Sequence, residues 1–200
     1  VHILDPYVGT GTFITRLLQS GLIRPEDMER KYLNEIHCNE IVLLAYYIAD
    51  VNIESVFHEI THRKTYLPYS GICLTDTFQL AEKKHNELFT EFFQDNSKRV
   101  KKQMATHVRV IVGNPPYSIG QKSANDNAQN LSYPYLDNRV SETYAAKSSA
   151  TLSKSLYDSY VKAFRWASDR IPKDAGGVVA FISNGAWLCL LYTSDAADDL

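Results

Sequence analysis

The chain has 200 residues, of which 44% are hydrophobic and 22% are charged, and its formal net charge is -2. This composition fits one globular domain with a single core, and it excludes a disordered or coiled-coil chain. The small negative charge gives no general attraction for a polyanion, so a nucleic-acid surface must be a local patch or lie outside this chain.

Strand-like runs alternate with helical stretches along the chain, which predicts a parallel sheet with crossover helices on both faces. In chain order, we predict strands at 1–5, 36–39, 71–75, 108–113 and 177–183, and helices at 12–19, 41–51, 83–93 and 155–170. The helix at 41–51 is apolar on all sides, so we expect it to be buried. The stretch 118–152 is rich in Ser, Asn, Gln and Tyr without a clear period, which predicts a long loop or lid. The predicted fold class is α/β and Rossmann-like.

The apolar runs are too short to cross a bilayer, which predicts a cytoplasmic protein without a membrane partner. Cys38, Cys73 and Cys189 lack paired spacing and are typical of reduced thiols. Val1 opens within an apolar run, so we expect the natural N-terminus to be missing. Residues 189–200 do not continue the preceding pattern and resemble a translated sequencing adapter, which leaves 1–188 as the predicted domain.

The first motif follows the first strand and reads Asp-Pro-Tyr-Val-Gly-Thr-Gly-Thr-Phe at 5–13. Gly9 and Gly11 allow a tight turn and a close approach to a ligand at the carboxyl edge of the sheet. A dinucleotide fingerprint would place a third glycine at Ile14. A methylsulfonium cofactor has no pyrophosphate, so the loop need only pass its methionine and ribose parts. The two glycines alone also fit an ordinary turn.

Two acidic residues follow the next two strands. The carboxylate of Glu40 could accept both ribose hydroxyls of an adenosyl group, and Asp76 could accept from its adenine amine while Phe78 packs nearby. Each acidic residue alone also fits a helix-capping role. The residues predicted to surround S-adenosylmethionine are Asp5, Pro6, Gly9, Thr10, Gly11, Thr12, Phe13, Glu40, Ile41, Asp76, Thr77 and Phe78.

The predicted catalytic residues are Asn114, Pro115, Pro116 and Tyr117, directly after the apolar strand at 108–113. An aromatic amine is a poor nucleophile because its lone pair is delocalised into the ring. The side-chain oxygen of Asn114 and the backbone oxygen of Pro115 could accept the two amine hydrogens, and the prolines would keep both acceptors rigid. Tyr117 could stack on the target ring. A Pro-Pro pair alone also ends a strand, but four motifs in order, each after a strand, indicate amine methylation without a metal.

These motifs resemble the amino-methyltransferase family, specifically the adenine methyltransferases in which the cofactor motif precedes the catalytic motif. The segments 114–121, 122–127, 157–160 and 181–185 resemble the methylase portion of large single-chain, type ISP-like restriction-modification proteins. The resemblance covers 1–188 and implies a class I methyltransferase fold. It also implies methylation of the 6-amino group of an adenine flipped out of double-stranded DNA. The helicase, nuclease and target-recognition domains of the same polypeptide would be the partners.

Two other functions remain open from the residues. A glutamine amide of a protein, or a base of RNA, presents the same lone-pair problem to the Asn-Pro-Pro-Tyr motif. The domain could also be a non-catalytic module that senses the cofactor beside a DNA motor.

The sequence contains three weaker functional signals. His58, Glu59 and His62 match a zinc-protease pattern, but they fall in a predicted short connection, so we expect no zinc site. A cluster of basic residues before the strand at 108–113 predicts a solvated loop, and contact with DNA phosphates is the alternative. The cluster consists of Lys98, Arg99, Lys101 and Lys102. The tyrosines of the 118–152 stretch could stack on single-stranded DNA or anchor the loop; they are Tyr133, Tyr135 and Tyr144.

Overall fold

The structure is a computed structural model, and it describes residues 1–82, 94–117, 132–147 and 156–183. The strands are β1 (His2–Asp5), β2 (Ile36–Glu40), β3 (Ile72–Leu74), β4 (Val108–Gly113) and β5 (Val178–Phe181). The α-helices are α1 (Thr12–Gln19), α2 (Pro25–Arg30), α3 (Leu43–Thr61), α4 (Gln94–Ala105), α5 (Pro134–Thr143) and α6 (Ser159–Arg170). A π-helical turn occupies Lys31–Glu35, and 3-10 turns occupy Gln79–Ala81 and Ala145–Lys147.

The five strands form one parallel sheet in the order β3-β2-β1-β4-β5. This arrangement confirms the predicted α/β, Rossmann-like fold. From β1 the chain builds outward through β2 to β3 and then crosses to β4 and β5 on the other side. The strand order therefore reverses between β1 and β4, and in open parallel sheets ligands bind outside the carboxyl ends of the strands at such a point.

Helices cover both faces of the sheet. Leu4 and Cys38 face opposite sides, because Cys38 pairs with Asp5, the next residue of β1. Cys38 packs in a core with residues of α1 and α3, whereas Leu4 packs in a second core with residues of α5 and α6. On the Leu4 side, the buried Gln103 of α4 donates a hydrogen bond to the sulfur of Cys73.

Local sequence explains several helix ends. Gly11 at the N-cap of α1 has φ 91°, and Gly21 beyond its last turn has φ 75°, both in the left-handed region that favours glycine. Pro134 opens α5 at its first position, where the missing N–H costs nothing. Asp158 caps α6 by accepting a hydrogen bond from the Tyr160 amide. The predicted bounds of α1 and β4 are confirmed at both ends, and the other strands lie within two residues of their predictions.

The prediction for the helix at 41–51 is wrong in two respects. The helix α3 begins at Leu43 and continues to Thr61. Only one of its faces packs on the core, and apolar residues at its start, among them Leu44 and Val51, are more than half exposed. An apolar sequence thus does not bury the helix within this domain.

Two loop predictions are also wrong. Within the predicted lid, residues 134–147 form α5 and a 3-10 turn, because Leu136 and Val140 bury one face of α5. The basic residues at 98–102 lie on α4 rather than in a loop. Residues 118–131 and 148–152, the helix predicted at 83–93 and the tail at 189–200 lie outside the described residues.

Cys38 and Cys73 are free thiols and both are buried, and Cys189 lies outside the described residues. In the part of the chain that the structure describes, none of the helices combines the length and the apolar character that a bilayer crossing requires.

Candidate functional site

The glycine loop after β1 is held against β2 and α3. The amide of Val8 donates to the Asn39 carbonyl at 3.0 Å. Gly9 has φ 56°, and no atom lies within 4 Å of the position that its Cβ would take, so this side of the loop is open to a ligand. Gly11 is closed in by α3, because its Cβ would lie 3.4 Å from backbone atoms of Ala49. The two glycines therefore differ in their surroundings, because position 9 is open and position 11 packs against α3.

Glu40, at the end of β2, organises this loop. One carboxylate oxygen accepts a hydrogen bond from the Gly9 amide at 2.9 Å. The other oxygen accepts from the amides of Ile41 and Val42 at 2.9 and 2.8 Å. A carboxylate has about four acceptor positions, so three are used and one remains. The two ribose hydroxyls that the sequence predicts here would therefore exceed the one remaining position, unless one of them shared an oxygen with a backbone amide. Ile41 beside it is about half exposed and accessible to a ligand.

Asp5 lies between the glycine loop and the Asn-Pro-Pro-Tyr motif. Its carboxylate is fully buried, accepts a hydrogen bond from the Tyr7 amide at 3.1 Å, and has a second oxygen without a partner among the described residues. A Cβ on Gly113 would lie 2.9 Å from the bonded oxygen, so β1 and β4 approach this closely only because position 113 is glycine. Burial, with a smaller contribution from Glu40, raises the pKa of Asp5 from 3.8 to about 7.

The Asn-Pro-Pro-Tyr motif follows β4 at the point where the strand order reverses. Asn114 is exposed and Pro115 is buried. The hydroxyl of Tyr117 donates to the Ile182 carbonyl at 3.1 Å and lies 3.4 Å from the side-chain oxygen of Asn114. The Tyr117 ring packs at a tilt on Tyr160, with 5.7 Å between ring centroids. The end of β5 and the start of α6 therefore position this tyrosine.

Asp76 and Thr77, at the end of β3, make internal contacts. One oxygen of Asp76 accepts from the Phe78 amide at 2.9 Å, and the other accepts from the Tyr133 hydroxyl at 2.7 Å. Burial raises the pKa of Asp76, and the hydrogen bond from Tyr133 opposes that rise. The buried hydroxyl of Thr77 accepts from the side chain of Asn39 at 3.1 Å and donates to the Pro6 carbonyl at 2.7 Å. This relay ties the end of β2 to the loops after β1 and β3.

The structure thus brings the loops after β1, β2, β3 and β4 to one edge of the sheet. Of the predicted residues, Asn114 is exposed at this edge, Glu40 is 9% exposed, and Asp5 and Phe78 are buried beneath it, with 0% and 5% exposed. The predicted set did not include Gly113 and Tyr133. Gly113 did carry a sequence signal, because a glycine at the end of the apolar strand, directly before the Asn-Pro-Pro-Tyr motif, indicates a close approach of a neighbouring chain segment. The contact of Tyr133 with Asp76 spans 57 positions and has no local signal.

Most of the remaining predicted residues belong to the glycine loop, and Pro116 follows β4. Thr10, Thr12, Arg16 and Asn52 help to line an open depression of about 390 Å³ between α1 and α3. Neither Glu40 nor Asn114 lines this depression, so it is separate from the edge at which the motifs meet. Phe13 is partly buried, Pro6 is buried, and Pro116 is exposed.

The zinc-protease pattern lies partly on a helix. His58 and Glu59 belong to α3, so the expected short connection is wrong there, while His62 leaves the helix with φ 50°. The His58 ring hydrogen-bonds the backbone of Leu67 at 3.2 Å and stacks on Tyr66. Across the described ranges, no three His, Cys, Asp or Glu side chains are grouped to hold a metal ion.

The basic residues of α4 are divided between internal and exposed positions. Arg99 donates to the Tyr46 hydroxyl at 2.9 Å, and Lys98 pairs with Asp95 at 3.1 Å. Lys101 and Lys102 are exposed near the end of α4. Since α4 leads into β4, this end lies at the amino edge of the sheet, away from Asn114.

Comparison with known proteins comes from solved structures, since neither a protein-family model nor a curated protein matches the chain. A nuclease-deletion mutant of the type ISP restriction-modification enzyme LlaGI, in complex with a DNA substrate mimic, is 45% identical with a TM-score of 0.83. The ATP-dependent type ISP restriction-modification enzyme LlaBIII, bound to DNA, is 45% identical with a TM-score of 0.82. The DrdV–DNA complex is 43% identical with a TM-score of 0.80.

Each similarity covers 94% of this chain, but only 16%, 13% and 17% of LlaGI, LlaBIII and DrdV respectively. The chain spans about a sixth of the length of these proteins. It is therefore similar, over nearly all of its residues, to one segment of two restriction-modification enzymes and of DrdV, all three solved with DNA.

Proposed function

We propose that this chain is the methyltransferase domain of a restriction-modification protein, and that it transfers a methyl group from S-adenosylmethionine to the 6-amino group of adenine in DNA. One observation carries the proposal. The glycine loop and the Asn-Pro-Pro-Tyr motif follow β1 and β4, the two neighbouring strands between which the strand order reverses. A ligand-binding loop and a rigid pair of acceptors for an amine thus share the crevice that parallel sheets use for ligands.

The residues present fit S-adenosylmethionine. The open side of Gly9, the remaining acceptor position of Glu40 and the exposed Ile41 would hold its adenosyl part. The orphaned oxygen of Asp5 is a buried polar atom beside the same loop. When bound, this cofactor supplies an electrophilic methyl group.

The chain's own residues would prepare the amine. The side-chain oxygen of Asn114 and the carbonyl of Pro115 would accept hydrogen bonds from its two N–H groups, which shifts electron density to the nitrogen and stabilises the positive charge that develops there. One of these two protons would pass to solvent water once the nitrogen carries the methyl group. The proline ring fixes φ and holds both acceptors in place. The hydrogen bond from Tyr117 to the Ile182 carbonyl anchors the ring edge and leaves the ring for stacking. Flipping a base costs a few kcal/mol, and stacking on an aromatic side chain returns roughly 1–3 kcal/mol.

Labelled cofactor with DNA, RNA and protein substrates tests the proposal in the longer polypeptide that would carry this domain. We expect methylation of DNA adenine by the wild type, and a loss of roughly a hundred- to a thousandfold in turnover for Asn114→Ala, which removes a preorganised acceptor. Tyr117→Phe keeps the ring and should retain much of the activity, whereas Tyr117→Ala should lose about ten- to a hundredfold through lost stacking.

Three results would refute the proposal. Methylation of RNA or of a protein glutamine, without methylation of DNA, would show that the substrate is not DNA. Cofactor binding without turnover on any of the three would make the domain a sensing module. A Tyr117→Phe variant as inactive as Asn114→Ala would give the hydroxyl a chemical role that stacking does not explain.

A further inference from the structure

The first half of α3 presents an apolar surface away from the core. Its exposed side chains recur at intervals of three and four residues, and they are Leu44, Tyr47, Ile48 and Val51, with 68%, 54%, 39% and 61% of each exposed. This spacing places all four on one face of the helix. The opposite face packs in the core through Tyr46, Ala49, Ile53 and Phe57. We call the exposed set the α3 stripe.

The stripe is large for a surface that faces only water. Val42 and Leu43 are also about half exposed and extend the stripe at its N-terminal end. Contiguous exposed apolar patches larger than a few hundred Å² are rare on monomeric proteins, and such patches mark interaction sites. Six large apolar side chains, each between 39% and 68% exposed, lie within ten consecutive residues here. This density of exposed apolar side chains indicates a contact surface rather than a face that meets only water.

The chemistry of the stripe selects its occupant. The next positions on the same face, Asn52 and Ser55, are exposed and polar, so the C-terminal end of the apolar surface has a neutral polar border. The partly exposed Asp50 and Glu54 flank the surface on the Tyr47 side. Apolar side chains at i, i+3, i+4 and i+7 are the pattern by which one amphipathic helix packs on another. The stripe itself carries no charge that would attract an anion or a cation. It thus suits the apolar face of an amphipathic helix.

We propose that the α3 stripe is the docking site of an amphipathic helix from another part of the polypeptide that carries this domain. The inference rests on the proposed function only in placing the chain within a longer polypeptide. The similar proteins are about six to eight times as long as the segment that they share with this chain, because that segment is only 13–17% of each of them. A segment tethered in the same polypeptide binds at a high effective concentration, which favours it over a second copy.

The docked helix would lie beside the predicted cofactor site. The stripe begins at Leu44, four residues after Glu40, whose carboxylate accepts from the Val42 amide. A helix on the stripe would restrain the first turn of α3, and with it the amides that orient this carboxylate. Docking of a remote segment would then stabilise the loop arrangement at the sheet edge.

Photo-crosslinking in the full-length polypeptide tests the inference. Benzoylphenylalanine replaces Leu44 or Tyr47 on the stripe in separate variants, and Leu22, which is 81% exposed and lies between α1 and α2, serves as the control position. We expect both stripe variants to crosslink within one polypeptide to residues outside 1–200, at several times the yield of the Leu22 variant. Circular dichroism of each variant verifies folding, which these exposed positions should preserve.

Every other result overturns the inference. Crosslinks between two polypeptides would make the stripe a contact between copies. Crosslinks confined to residues 1–200 would show that the domain covers its own stripe, and yields no higher than at Leu22 would leave it facing water. The crosslink requires neither cofactor nor substrate, so its outcome is separate from that of the methylation assay.

Discussion

Glu40→Gln tests whether one carboxylate holds the glycine loop. The carboxylate accepts three backbone hydrogen bonds, one from Gly9 and two from the start of α3. A glutamine has the same shape but only one oxygen, so its NH₂ group must face a backbone N–H on one side. Hydrogen bonds to a charged group contribute roughly 1.5–3 kcal/mol each. Losing one bond and weakening the others should lower the free energy of unfolding by about 2–4 kcal/mol.

Urea unfolding of the 200-residue chain, followed by circular dichroism, measures this loss. Glu59→Gln is the matched control, because Glu59 is exposed on α3, the helix that follows Glu40, and should change stability by less than about 0.5 kcal/mol. Calorimetry on the folded Glu40→Gln variant should also show S-adenosylmethionine binding weakened about tenfold or more. If Glu40→Gln unfolds at the same urea concentration as Glu59→Gln, the loop does not depend on this carboxylate and our account of it is wrong.

Three further predictions follow from buried contacts. Gly113→Ala should destabilise the chain by roughly 1–3 kcal/mol in urea unfolding, because the new methyl group meets the Asp5 carboxylate at 2.9 Å; unchanged stability would refute this close approach. The pKa of Asp5 in the folded chain is raised from 3.8 to about 7. The unfolded chain therefore loses this proton first, and the free energy of unfolding should fall by roughly 4 kcal/mol as the pH rises from about 4 to 7. Asp5→Asn should lack this fall, and parallel pH profiles of the two proteins would contradict the prediction. His58→Ala should lower the free energy of unfolding by about 1–2 kcal/mol, because the ring loses its hydrogen bonding to the Leu67 backbone. Elemental analysis should find the same metal content in the variant as in the wild type. About one zinc per chain, lost in the variant, would contradict a purely structural role for His58.

The sequence predicted the sheet and the order of the motifs along its edge, because these depend on local patterns. Glycines on both sides of α1 define its ends, and the apolar run of β4 stops at Gly113. The helix α4 was missed because Gln103 is its only residue among the buried ones, so it lacks an apolar period. The start of α5 did carry a signal, with Pro134 at its first position, but the polar composition around it concealed the helix.

The site was predicted less completely than the sheet, because its hydrogen bonds join residues that are far apart in the sequence. Glu40 was placed at the correct strand end, but its three internal hydrogen bonds depend on how the glycine loop folds back onto β2. For α3, an apolar face that packs on its own core and one that remains exposed look alike in sequence. Only the positions of the neighbouring helices distinguish Ile53, which is buried, from Val51, which is exposed.

The relay through Thr77 has a consequence for the dynamics of the site. It links the side chain of Asn39 to the Pro6 carbonyl, and so joins the ends of β1, β2 and β3 through one buried hydroxyl. Segments joined by buried hydrogen bonds open together as one cooperative unit. Amide hydrogens in these three segments should therefore report a common opening free energy in hydrogen exchange. A ligand that orders the glycine loop would slow exchange in all three, and the entropy lost on binding would be shared among them.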